Sequence, residues 1–195
     1  MSQVRKSLAT TLSVFALDSF AISLVLPIFA SLLLKQSAGV LPIDLPLNER
    51  IWKLGYLIAA FPIALIIGAL CVGIISDRLG RKRAYFITLT GTLFATFFTG
   101  IAVHQKNYTW MVIGRALGGF FAGNLTICLS VLADISQEGH HRSRLFARLG
   151  ITTAIAFMFG VFIGGIFSNP KYSIYFTHAF PFWIATGICL LNIFL

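Results

Sequence analysis

The sequence predicts an all-α integral membrane protein with six transmembrane helices in one bundle, and three observations predict it. Of 195 residues, 57% are apolar and 11% charged, with 19 Phe and a mean hydropathy of +0.88, which is more apolar surface than a single core of this size can bury. Runs of about 20 mostly apolar residues, the length of helix that crosses a bilayer, recur at 8–34, 54–76, 84–104, 109–133, 149–168 and 177–195. The Lys and Arg residues, Arg115 apart, fall between or at the ends of these runs.

The first run follows Arg5 and Lys6, yet it is too long for a cleaved leader and has no small-residue cleavage site. It carries Asp18 near its middle and Pro27 beyond. Residues 35–53, with Gly39, Pro42, Asp44, Pro46, Asn48 and Glu49, have the turn chemistry of an irregular external loop. The second and third runs are joined by Gly73-Ile-Ile-Ser-Asp77-Arg78-Leu-Gly80-Arg81-Lys82-Arg83, a tight hairpin with a turn glycine among five charges.

In the fourth run Arg115 lies among Gly114, Gly118, Gly119 and Gly123. Small residues at this spacing let another helix approach closely, so Arg115 is expected to aim into the bundle. Asn124 follows, as a substrate-cavity residue or an interhelical hydrogen bond, and Asp134 ends the run. The fifth and sixth runs complete the bundle.

With the amino terminus inside, the cytoplasmic segments hold Arg5, Lys6, Arg78, Arg81, Lys82, Arg83, Arg142, Arg144 and Arg148. The external segments hold Lys35, Arg50, Lys53, Lys106 and Lys171. That bias places both termini in the cytoplasm.

Other function classes find little support. The formal charge of +9 is spread over short connecting segments without an aromatic-interleaved basic groove, so no nucleic-acid partner is expected. Cys71, Cys128 and Cys189 sit in apolar runs without metal-ligand or disulfide spacing. His140 and His141 beside Arg142 read as a solvated loop rather than a metal site. No phosphate-cradling loop and no catalytic triad or dyad is present, so neither a cofactor nor an enzyme is expected.

Two constellations remain. Asp18 is costly at mid-membrane and should face the bundle interior or a wet cavity, where a carboxylate reached from each side in turn can take up and release a proton. Arg115, charged at any accessible pH, is its expected electrostatic partner. At the cytoplasmic face, Arg81 is expected to pair with Asp134 and, with Asp77, to form a latch that a conformational change would break.

The order Gly73, Asp77, Arg78, Gly80, Arg81, Lys82 resembles the loop signature of the major facilitator superfamily. Across nearly its whole length the chain is similar to the amino-terminal half of drug:proton antiporters of the tetracycline-efflux type. Leu17-Asp18 with Pro27, Arg115 with Gly119, Ala133-Asp134-Ile135, Gly160-Val161-Phe-Ile-Gly164-Gly165 and Pro181-Phe182-Trp183 to Asn192 carry that resemblance. The chain departs from it at Val161, where the antiporters have proline, at Ala30, where the tetracycline group tends to have one, and at Gly118, where the wider family has a polar residue.

The resemblance implies one half of a twelve-span bundle, with Gly160, Gly164 and Gly165 as packing positions. It implies proton-coupled export of a drug or metabolite across the cell membrane, the partners being a small molecule, protons and lipid. A missing carboxy-terminal half or a parallel second copy would complete it, and a fragment or split gene is the simplest origin. Proton-coupled uptake, a non-transporting membrane interaction protein and an inactive truncated remnant are the alternatives.

Overall fold

The computed structural model describes residues 2–35, 39–135, 140–167 and 178–194, and all regular structure among them is helical. The side chains of Arg5, Lys6, His140, His141 and Arg142, and Lys171 as a whole, lie outside the described residues.

The first span is two helices, α1 (Ser2–Leu24) and α2 (Leu26–Leu34), meeting at Val25. Pro27 at the start of α2 has no N–H to donate to the preceding turn, which accounts for the interruption. Helix α3 runs Leu47–Leu79 with Pro62 inside it, extending the expected 54–76 in both directions. Gly80 ends α3 and begins α4 (Arg81–His104). Its N–H donates to the Ser76 carbonyl and its own carbonyl accepts from Ala84 N–H, each at 3.1 Å. Its φ of 84° is a conformation that a side chain resists, which is why the hairpin needs glycine there.

The fourth span is also interrupted. Helix α5 (Tyr108–Phe121) opens on Asn107, whose side chain accepts from Trp110 N–H at 3.3 Å, a standard N-cap. It ends where Ala122 N–H is shared between the carbonyls of Gly118 and Gly119, and α6 (Asn124–Ile135) then continues toward Asp134. Helices α7 (His140–Phe167) and α8 (Phe180–Phe194) complete the described chain. Five spans are long and apolar enough to cross a membrane, and α8 is a shorter apolar helix of 15 residues.

Burial sorts the spans. The most apolar stretch of the first span is 61% buried, against 11% for α3 and 17% for α7, so α1 and α2 are central and the other two peripheral. Ile66, Leu70, Met158 and Phe162 face outward, an apolar surface suited to lipid or to a partner rather than to water. One core packs Leu24, Ile28, Phe29, Leu33, Met111 and Phe182, with the Phe29 and Phe182 rings edge to face at 5.5 Å. A second, around Cys128, Leu132, Leu145 and Leu149, joins α6 to α7 and α1.

Glycine brings backbones together without intervening side chains. A Cβ on Gly119 would strike the Phe61 carbonyl, and one on Gly68 the Phe120 carbonyl, so α3 and α5 touch backbone to backbone. Gly123 faces Val72 and Gly114 faces Thr99, whereas Gly118 makes only ordinary contacts, the nearest at 3.8 Å. Gly160 and Gly164 abut α1 at Ser23, Phe20 and Leu24; beside Gly165 nothing among the described residues lies within 4 Å.

Candidate functional site

Asp18 is brought inside by the face of α1 that meets α6. It is 2% exposed, and Asn124, fully buried at the start of α6, donates from Nδ2 to Asp18 Oδ2 at 3.2 Å. The remaining oxygens, Asp18 Oδ1 and Asn124 Oδ1, have no protein partner. Beside the pair is a cavity of about 220 Å³ bounded by Phe15, Asp18, Phe61, Leu65, Gly123 and Thr126 among others. The amide of Asn124 makes an interhelical bond, and its neighbours Gly123, Leu125 and Thr126 line the cavity.

Arg115 is buried, as its glycine surroundings predict, but it does not pair with Asp18. Its guanidinium carbon lies 4.5 Å from the Phe61 ring centroid and 5.2 Å from that of Phe29, within the reach of cation–π attraction. Its Nε has no hydrogen-bond partner. The reason is axial distance: nine residues, at about 1.5 Å of rise each, separate Arg115 from Asn124, so the place opposite Asp18 belongs to the asparagine. Arg115 instead borders a separate small cavity with Thr92, Thr96 and Thr99. Those hydroxyls already donate to carbonyls one turn back on α4, at 2.7–2.8 Å. Ile22 and Phe61 border both cavities and stand between the two charged groups.

At the hairpin end, Arg81 forms an ion pair with Asp134 and donates from Nη1 to the Ser130 carbonyl at 2.9 Å. Both contacts tie the start of α4 to the end of α6. The pair is open to water, with side chains 37% and 61% exposed. Asp77, Arg78 and Lys82 are exposed around it, and Asp77 makes no ion pair among the described residues.

Two buried polar residues escape sequence reasoning. Arg50, read only as an external charge, is 2% exposed. It donates to the carbonyls of Leu33 at 3.2 Å, Pro42 at 2.6 Å and Leu45 at 3.1 Å, tying the loop that holds Pro42 and Leu45 to the open end of α2. The signal was a helix end followed by a proline-rich loop, which leaves carbonyls without internal partners. Asn192, at 1% exposure, donates from Nδ2 to the Val14 carbonyl at 3.0 Å; a polar residue inside an apolar run was its signal.

A family model described as Major Facilitator Superfamily matches residues 8–195. The chain is 29% identical over 164 residues to a class D tetracycline resistance protein of Salmonella ordonez, covering 84% of this chain and 38% of that protein. Its fold is similar to that of the human organic anion transporter MFSD10, with a TM-score of 0.74 at 21% identity, over 98% of this chain and 47% of that one. A D-xylose-proton symporter aligns with a TM-score of 0.73 at 17% identity, over 96% and 46%. The chain therefore spans under half the length of these relatives.

Proposed function

Because the chain belongs to the Major Facilitator Superfamily, we propose that it forms one six-span half of a proton-coupled carrier that exports small molecules across the cell membrane. The second half is a separate polypeptide segment or a parallel copy of this chain, and both termini face the cytoplasm. The tetracycline resistance relative favours export of a drug-like compound.

The observation that carries the reading is the Asp18–Asn124 pair beside its cavity. An ionised Asp18 accepts from the asparagine's Nδ2, as seen at 3.2 Å. A protonated Asp18 can donate to Asn124 Oδ1, which is otherwise without a partner. An amide offers both a donor and an acceptor, so this contact can survive either protonation state, whereas an arginine partner would hold the acid ionised. Arg115 then acts at a distance, held by Phe29 and Phe61 as a fixed positive charge along the same passage. Arg81 and Asp134 form the cytoplasmic clasp that opens as the halves rock.

The test is dye extrusion driven by an imposed pH gradient in vesicles carrying the chain with its second half. Asp18→Asn is expected to reduce gradient-driven flux to that of empty vesicles while dye binding persists. Unchanged coupling in that variant would remove Asp18 from the mechanism. The direction of flux in the same assay separates export from uptake.

A further inference from the structure

A second space, apart from the Asp18 cavity, opens beside the hairpin residues Arg81 and Lys82. It is a separate volume of about 450 Å³ between α1, α4, α6 and α8, within the size range of small-molecule sites. Its mouth carries Arg81 and Lys82, its walls are Val14, Phe86, Leu89 and Val131, and Asn192 closes it toward α8. Nothing in the transport reading uses this space. Three features say what fits it.

The mouth is electropositive. Arg81 and Lys82 are the first two residues of the 24-residue helix α4, so two cations coincide with the positive end of a helix dipole, where anions are favoured. The walls are apolar and reach lipid, since Phe86 on the rim is 60% exposed. Asn192 is 1% exposed, its Nδ2 is engaged with the Val14 carbonyl, and its Oδ1 is buried without a partner. Asn192 is among the residues that bound the cavity, so an acceptor without a donor lies at its closed end.

We propose that this cavity binds one anionic phospholipid with a hydroxyl-bearing head group, drawn from the leaflet on the Arg81–Lys82 side. The phosphate lies at Arg81 and Lys82, a head-group hydroxyl donates to Asn192 Oδ1, and an acyl chain leaves past Phe86 into the bilayer. A zwitterionic choline lipid has no hydroxyl to offer and adds a cation beside two others. A free phosphate satisfies the mouth and leaves the apolar walls uncovered. Because Arg81 is also the clasp residue, a bound lipid adds a second anion beside Asp134 and competes for the same guanidinium. The proposal rests on membrane embedding and not on Asp18 or on transport.

The experiment is native mass spectrometry of the full chain in neutral detergent, with short-chain phosphatidylglycerol, phosphatidylcholine of the same chain length and glycerol 3-phosphate as probes. One phosphatidylglycerol per chain is expected to be retained, preferred about thirtyfold over phosphatidylcholine, since each surface cation contributes about a factor of five for an anionic lipid. Lys82→Gln, at an exposed position, should reduce that preference about fivefold, and Asn192→Leu should weaken phosphatidylglycerol retention while leaving that of phosphatidylcholine unchanged. Equal retention of the two diacyl lipids, or retention unchanged in Lys82→Gln, overturns the proposal. Displacement by glycerol 3-phosphate at equal concentration overturns the lipid assignment in favour of a free anion. Absence of any gradient-driven transport, with lipid retention intact, would sink the carrier reading alone.

Discussion

Asp18 and Asp134 both join helices, yet Asp18 is buried against the neutral amide of Asn124, whereas Asp134 is exposed and pairs with the charged Arg81. Where water is absent, this fold pairs its acid with a dipole; where water is present, it uses an ion pair. Burial makes the first contact one that few groups can replace, because an unmatched polar atom there has no solvent to turn to. Water and salt weaken the second, as the clasp proposed for it requires.

Arg50 offers the severest test of burial as the deciding variable, since it is a charge as deeply placed as Asp18 but held by carbonyls alone. Arg50→Met should lower stability by about 1.5–3 kcal/mol, the range for a hydrogen bond to a charged group, read as a fall in thermal midpoint in detergent. A loss no larger than that of Asp134→Asn would break the comparison. Next comes a double-mutant cycle on Asp18→Leu and Asn124→Leu. The coupling should be about 0.6–1.7 kcal/mol, as for buried polar pairs between membrane helices, and strictly additive losses would mean that the two side chains do not meet.

Asp134→Asn should cost less than about 1 kcal/mol, and raising the salt concentration should bring the parent chain down to the variant. The smallest effect lies at His178, just before α8. Burial first, then Lys35 and Lys106, holds the His178 imidazole below its ordinary range. The folded state resists a proton that the unfolded chain accepts near pH 6.5, so stability should fall as pH drops below about 6.5 toward the folded value. His178→Gln should flatten that slope, and a parent chain whose stability is level across this window contradicts the assignment.

How much of this was legible depends on the kind of contrast each feature makes. Spans and connections were readable because apolar runs and charged loops differ in composition, and Gly80 because few other residues serve a one-residue turn. Partnerships were not. In a bilayer the core and the surroundings are both apolar, so the pattern along α3 or α7 does not say which face is inward. Asp18 and Asn124 are 106 residues apart, and Arg115 seemed the natural partner because opposite charges attract; only the axial position of α5 shows otherwise. The burial of Arg50 was not legible because a charge between two apolar runs is ordinarily solvated.

The seam between α3 and α5, where Gly68 and Gly119 let one main chain lie on the other, leaves no side chain between the two helices at those two positions to change rotamer. A contact of that kind cannot yield gradually: the pair moves as a single plank or comes apart. Phe61, supplied by α3 to the Arg115 ring stack, therefore keeps its spacing from that arginine as the pair tilts, and an added methyl group at Gly119, meeting the Phe61 main chain first, would be passed on through that ring to the guanidinium.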